Sequence, residues 1–405
     1  MLSMKDKRVV FTLALLVRLL IFSIPSLSNT LIQRVELVTP ITSFKRLTEG
    51  VYLYNHNVPP YEGDVFHQPP LLLCFFSLVM MLPSVIIPLL FSSVDLLIAY
   101  ALAMITQLKQ TQDQQKSKLK DEAKTTPISP FTVSTLYLFN PLTILSCTAK
   151  STLLFTNLAI VMALLSSLRN RPKTAMFWIA LASYLSFYPV MLVPAFLIML
   201  QSPRPLLFFI LSVVVFLGLS FLVTQSWDFF TATYGIILFV SDLTPNIGMF
   251  WYFFIEIFDQ FRSFFMVVFQ FHTFIFTIPI CIKLHQQPIF VVTVLCGIMA
   301  IFKSYPSAGD ASLYLGLVAI HDELLKYCRY GFLVSNLFLY ASVLAPIFWH
   351  LWIYAGSGNA NFFYAITLVY SLGQVVLMID LVYAALRREF DILHPETIGR
   401  QVIHK

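Results

Sequence analysis

The chain alternates long apolar runs with short polar islands. Apolar residues 9–25 open the series behind Lys5, Lys7 and Arg8. Further runs fall at 70–106, 131–147, 152–168, 174–188, 189–201, 206–224, 263–282, 288–303, 311–325, 331–349 and 362–386. Such runs predict helices, which satisfy their own backbone groups as lipid demands. A straight crossing needs roughly 20 residues. Several runs are shorter and predict broken helices or helices shielded within a bundle. The run 70–106 is too long for one helix and is interrupted at Pro83 and Pro88. A half-inserted helix at 70–83 followed by a full span at 85–106 accounts for it. The expectation is an all-α polytopic membrane protein with about 12 transmembrane helices. It forms a single multispanning domain, 1–405, with no separate soluble domain.

Charge then assigns sides. The loop 107–126 carries Lys109, Lys116, Lys118, Lys120 and Lys124 against Asp113, Asp121 and Glu122, which predicts a basic cytosolic loop. The turns 169–173, 201–204, 283–287 and 326–329 share that side, as does the tail 387–405 behind Arg387 and Arg388. Both termini are expected to be cytosolic. Arg18 interrupts the first run, and no small-residue cleavage site follows it, so a retained span is expected in place of a signal peptide. Arg18 then snorkels or pairs inside the bundle. The lumenal side receives a first loop at 26–69, turns at 148–152 and 188–189, an aromatic segment at 225–262, and the islands 303–310 and 350–361.

Composition supports this picture. The chain is 58% hydrophobic and 11% charged, and 39 residues are Phe. A soluble domain carries roughly one quarter charged residues, so lipid must be the solvent of the outer face. The net charge is +6, but the cations sit in short loops without interleaved aromatics, which excludes a nucleic-acid surface. Cys74, Cys147, Cys281, Cys296 and Cys328 lie in or beside apolar runs with no CxxC or CxxH spacing. They read as small buried hydrophobes, not as a zinc site or a disulfide framework.

Function must reside in the polar islands. His56, Glu62, Asp64 and His67 lie in a proline-rich loop without helical ligand spacing, so no metal and no cofactor is expected. In 225–262 a polar turn with Pro245, Asn246 and Gly248 precedes Phe250, Trp251, Tyr252, Phe253, Phe254 and Phe258. At helical spacing Trp251, Phe254 and Phe258 share one face, and Tyr252 and Glu256 another. That helix is an interfacial anchor, a wall of a lipid groove, or both. Lys303 either pairs with Asp310 or meets a lipid phosphate, and Lys150 offers the same choice. The turn with Gly356, Gly358, Asn359 and Asn361 presents amides that hydrogen-bond sugar hydroxyls, or is a plain turn. No nucleophile elbow occurs, and His350 and Cys147 lack visible partners, so no catalytic residue is expected. Paired intramembrane charges and inverted repeats, the marks of a transporter or scramblase, are not visible.

Five stretches resemble the PIG-U family: LTEGVYLYNHNVPPYEGDVFHQPPLL, FNPLTILSCTAKST, SDLTPNIGMFWYFF, AIFKSYPSAGDASLY and FWHLWIYAGSGNANFFYAIT. That family is a multispanning subunit of the glycosylphosphatidylinositol (GPI) transamidase. The likeness covers nearly the whole chain and fades in 107–126 and after Phe390. It implies a noncatalytic subunit in the endoplasmic reticulum membrane that helps hold the GPI lipid for attachment to precursor C-termini. The implied partners are PIG-K, the cysteine-protease-like catalytic subunit, with PIG-T, PIG-S and the GPI anchor attachment subunit. The implied GPI-binding candidates are Asn246, Phe250, Trp251, Phe254, Lys303, Asp310, Asn359, Asn361 and Lys150.

PIG-U is in turn similar to the GPI mannosyltransferases, which implies a GT-C-like bundle with lumenal interfacial helices. The shared pieces are Thr48-Glu49-Gly50, Pro70-Leu71-Leu72, Phe139-Asn140-Pro141 and Tyr188-Pro189. Those enzymes place an Asp-x-Asp where this chain has Arg34-Val35-Glu36, and a basic cluster where it has apolar 236–240. Both departures argue against sugar transfer. The alternative, an active lipid-linked glycosyltransferase, would use Glu36 as its base.

Overall fold

The computed structural model describes residues 4–118 and 127–397, and among these every regular element is helical. The chain divides into two compact units, the first ending at Ile320 and the second beginning at His321.

The first unit opens with α1 (Met4–Phe22) and α2 (Pro25–Ile32), which meet at an 89° bend. Then come α3 (Phe44–Asn55), α4 (Pro70–Val79), α5 (Ile86–Lys118), α6 (Pro130–Leu138), α7 (Pro141–Thr148), α8 (Leu153–Leu168) and α9 (Pro172–Ser186). A short 3₁₀ turn leads to α10 (Val193–Leu200) and α11 (Leu206–Thr224). The stretch α12 (Asp228–Phe239) contains one π-turn at Thr231–Gly235. The unit closes with α13 (Phe250–Glu256), α14 (Asp259–Ile275), α15 (Thr277–Lys283), α16 (Pro288–Phe302) and α17 (Ala308–Val318).

Proline decides where many of these helices start. Pro25, Pro70, Pro130, Pro141, Pro172 and Pro288 each occupy the first turn, where the missing N–H costs nothing and φ is already set. The expected span 131–147 is therefore two helices. α6 ends at Leu138 with Phe139 as its C-cap, and Asn140 caps α7, its Oδ1 accepting from the Leu142 N–H at 2.9 Å. The pair 174–188 and 189–201 likewise breaks at Phe187, whose φ is +61°, before Pro189 starts the 3₁₀ turn. Where the sequence suggests a half-inserted helix at 70–83, α4 occupies Pro70–Val79 and is ten residues long. The basic stretch 107–126 is not a loop throughout, because α5 continues to Lys118. Its lysines and glutamines are good helix formers. Residues 119–126 lie outside the described residues, as does the tail beyond Thr397.

Among the described residues five helices are long and apolar enough to cross a membrane, α14 and α15 counted together, or six if the bent pair α1 and α2 counts as one. The other segments of the expected dozen or so are shorter helices, as the short apolar runs suggested, and proline starts many of them. Several of the short helices are shielded by the rest of the chain. In α16, 13 of 15 residues are buried, from Ile289 to Ile301. In the long α11 only Phe209, Phe216 and Ser220 are buried. Lipid tolerates short helices where protein covers their ends.

A buried ion pair fastens α1 to this bundle. The Arg18 guanidinium donates to Asp95 of α5 at 2.7 Å, to the Ala14 carbonyl at 3.0 Å and to the Leu138 carbonyl at 3.0 Å. The Tyr137 hydroxyl donates to the other Asp95 oxygen at 3.0 Å. Neither charge reaches solvent. The chain thus does contain a paired intramembrane charge. The sequence hid it because its partners stand 77 residues apart.

The second unit is a helical hairpin of α19 (Gly331–Ile353) and α20 (Ala360–Leu393), preceded by one turn, α18 (Asp322–Leu325). The buried Asp380 of α20 accepts from the N–H groups of Arg329 at 2.9 Å and Tyr330 at 3.0 Å, which caps α19 with a negative charge. Arg329 lies over the Tyr383 ring at 3.8 Å.

Candidate functional site

In the first unit, the islands at 26–69, 148–152, 188–189, 225–262 and 303–310 converge into one polar region. The first loop supplies its floor. Ser43 caps α3, and the Gln68 amide donates to the Ser43 carbonyl at 2.7 Å. Tyr61 donates to the Gln68 carbonyl at 2.8 Å. Gly50 admits the Phe66 ring, which would stand 2.6 Å from a Cβ there.

The aromatic segment is bound to this floor through Arg46 and Asp242, which pair at 2.7 Å. Asp242 also accepts from the Thr244 N–H at 2.8 Å and from the Thr244 hydroxyl. Burial disfavours the Asp242 charge, but the Thr244 bonds and Arg46 outweigh it and hold the carboxyl below its usual range. His67 faces two carbonyl oxygens, Ala232 at 2.9 Å and Asp64 at 3.0 Å. Burial pulls its pKa down, against those bonds. The Tyr305 hydroxyl donates to the Asp242 carbonyl at 2.7 Å.

A second network ties the Tyr188-Pro189 turn to the same place. Tyr188 bonds Gln270 at 2.9 Å and Ser304 at 2.6 Å. Gln270 and Ser304 both donate to the Ile237 carbonyl, at 2.8 and 2.7 Å. The remaining links are Thr152 N–H to the Thr42 carbonyl at 3.0 Å and Ala308 N–H to the Glu36 carbonyl at 2.9 Å.

The sequence-derived candidates fall into three groups. Asn246, Phe250, Trp251, Phe254, Lys303 and Asp310 are buried in the chain itself. Asn246 braces its own turn: its Oδ1 accepts from the Gly248 N–H at 2.8 Å, and its amide donates to the Thr244 carbonyl at 3.2 Å. Phe250 and Phe254 pack edge-on against Phe269 of α14, at 5.1 and 5.5 Å. The expected common face of Trp251, Phe254 and Phe258 does not form. The helix stops at Glu256, Ile257 is extended, and Phe258 turns outward, 72% exposed. Lys303 pairs with Asp310 at 2.6 Å. Asp310 in turn accepts from the Ser307 N–H at 2.9 Å as the acidic arm of a capping box on α17.

Lys150 behaves differently. It is half-buried in the turn after α7, with φ +53°, and its ammonium lies over the rings of Phe44 at 5.4 Å and Phe22 at 5.9 Å. Among the described residues no carboxylate pairs with it. Burial alone pulls its pKa below the usual lysine value. Beside it Leu31, Leu37, Val38, Ala149 and Ala308 form an apolar cluster, edged by Ile21, Leu142 and Leu145.

Asn359 and Asn361 belong to the second unit and are exposed. Asn359 caps α20, its Oδ1 accepting from the Phe362 N–H at 3.3 Å.

The acid aligned with a glycosyltransferase base is engaged. Arg34 grips Glu36 through both carboxylate oxygens, at 2.5 and 3.0 Å. His56 stacks on Tyr52 at 4.0 Å, and among the described residues no three His, Cys, Asp or Glu side chains converge as metal ligands.

The family described as GPI transamidase subunit PIG-U matches residues 12–370. The chain belongs to the PIG-U family. It is 40% identical to the GPI-anchor transamidase component PIGU of Homo sapiens, covering 95% of this chain and 94% of that one. It is 39% identical to the GPI transamidase component GAB1 of Saccharomyces cerevisiae, covering 91% of each. The GAB1 homologue of Schizosaccharomyces pombe is 31% identical over 91% of each chain. The match to PIG-U spans every island of the polar region, from the first loop to Asp310.

Sequence reasoning placed Arg46, Tyr188 and Asp242 within the polar islands but named none of them, nor Gln270, as a candidate site residue. Arg46 and Asp242 are 196 residues apart, and only folding pairs them. The polar turn before the aromatic run was the one available signal. The region should be sensitive to added bulk. A Cβ on Gly248 would stand 2.6 Å from Pro306. Gly248→Ala should cost about 1–3 kcal/mol by overpacking. A thermal-shift measurement on the assembled complex checks this, and an unchanged melting temperature would refute the docking of 244–248 against Pro306.

Proposed function

We propose that this chain is a noncatalytic subunit of a GPI transamidase that holds the GPI lipid by its phosphate and acyl portions beside Lys150. The carrying observation is a half-buried ammonium with no carboxylate partner among the described residues, set against an apolar wall. A cation in this setting is completed by an anion attached to a lipid. Its left-handed backbone adds support, since strain of this kind persists where surrounding structure enforces it. Lys303, the other candidate cation, is already neutralised by Asp310.

In this reading the short, shielded helices complete a GT-C-like bundle of about a dozen membrane-embedded segments, lying as one multispanning domain in the endoplasmic reticulum membrane. The termini face the cytosol. The convergence of the islands 26–69, 148–152, 188–189, 225–262 and 303–310 supports a single lumenal face. Peptide cleavage then belongs to a PIG-K-type partner, with PIG-T, PIG-S and the GPI anchor attachment subunit completing the complex. Glu36 is held by Arg34, which disfavours its use as a base for sugar transfer.

Loss of one charge-assisted contact costs about 1.5–3 kcal/mol, roughly ten- to hundredfold in affinity. Lys150→Met should therefore weaken GPI crosslinking to the assembled complex by at least about tenfold, and Lys150→Arg should retain most of it. The sign of the pH effect follows from protonation. Binding a phosphate favours the ammonium, so affinity should fall as pH rises through a lysine pKa that lies below 10.5. If Lys150→Met assembles normally and attaches GPI to a reporter at the normal rate, the site lies elsewhere.

A further inference from the structure

Away from the polar region, α1, α5 and α6 enclose a cleft of about 290 Å³. Arg18 meets Asp95, whereas Lys7 and Arg8 stand at the level of Met104 and Gln107, so α1 and α5 run antiparallel. The cleft is therefore polar at one end, where Lys7, Arg8 and Gln107 line it, and apolar deeper in, where Phe11, Tyr100 and Phe131 line it. Among the described residues no acidic side chain lines it. Lys7 and Arg8 are exposed, and among the described residues neither forms an ion pair. Its volume is near the lower limit of small-molecule sites, roughly 300 Å³, enough for part of one acyl chain and not for a whole lipid.

We propose that this cleft binds one anionic phospholipid of the leaflet at the N-terminal end of α1. The phosphate sits between Lys7 and Arg8, and one acyl chain runs along Phe11, Tyr100 and Phe131. A soluble anion would leave the aromatic walls uncovered. A zwitterionic lipid would leave the two cations without a net counter-charge. An anionic lipid answers both ends at once. The site is independent of the Lys150 region and would hold the orientation of α1 against α5.

The test uses the assembled complex with the full chain, in nanodiscs containing trace lipid with a photoreactive acyl chain. Phosphatidylserine should crosslink to residues of α1, α5 and α6 about tenfold more than phosphatidylcholine. The double variant Lys7→Gln/Arg8→Gln should bring the two lipids level, and Met104→Trp, which fills the cleft, should remove both signals. Excess water-soluble glycerophosphoserine should not compete. Equal labelling by both lipids in the unaltered protein would overturn the proposal. So would labelling unmoved by either variant, or competition by the headgroup alone, which would mean an anion site without a chain. Should the double variant fail to assemble, Met104→Trp alone decides between retention and loss.

Discussion

Arg18→Leu should destabilise the first unit by about 3–5 kcal/mol, because it leaves Asp95 charged, fully buried and unpaired. It also removes donors from the Ala14 and Leu138 carbonyls. The loss should appear as reduced recovery of the complex and a lower melting temperature. Arg18→Lys should rescue only in part, since an ammonium lacks the fork that reaches three acceptors on α1, α5 and α6. The double variant Arg18→Leu/Asp95→Leu should recover much of the loss, because a buried pair replaced by apolar side chains is close to neutral. If the single and double variants are equally damaged, the pair is not what joins α1 to α5.

Lys303→Met should have a comparable effect, about 3–5 kcal/mol, through the stranded charge on Asp310. Here the carboxylate has a second duty, because it accepts the Ser307 N–H at the start of α17. Adding Asp310→Asn to Lys303→Met should restore stability, since the amide oxygen still caps the helix and no charge remains. GPI attachment should then return with the fold. Restored stability without restored attachment would give Lys303 a direct part in substrate binding.

Much of the fold was legible because the apolar runs and prolines are local signals. Pro141 and Pro189 mark real helix starts, and 70–83 contains the short helix its length suggested. The helical end of 107–118 was obscured because its charges read as a loop by composition, although they favour helix by propensity. The site was less legible. Trp251 and Phe254 have the composition of an exposed anchor, yet both are buried, Phe254 against Phe269 of α14. Their alanine variants therefore test the core before they test lipid binding. The pairs Arg18–Asp95 and Arg46–Asp242 join distant residues, and nothing in periodicity reports such a pairing. Lys150 was one candidate among nine. Its distinction, a cation without a carboxylate among the described residues, is visible only once Lys303 is seen to have one.

The short shielded helices also set a depth. A helix of 16 residues such as α8 reaches about 24 Å, less than the roughly 30 Å of hydrocarbon in a bilayer. Either its ends lie beneath the surrounding headgroups or the bilayer dips to meet them. A glycolipid drifting sideways into that depression would carry its phosphate inward without leaving its leaflet. If the chain holds a glycolipid as proposed, its attachment end would arrive lower against the complex than it stands in open membrane, at a height set by the length of helices such as α8.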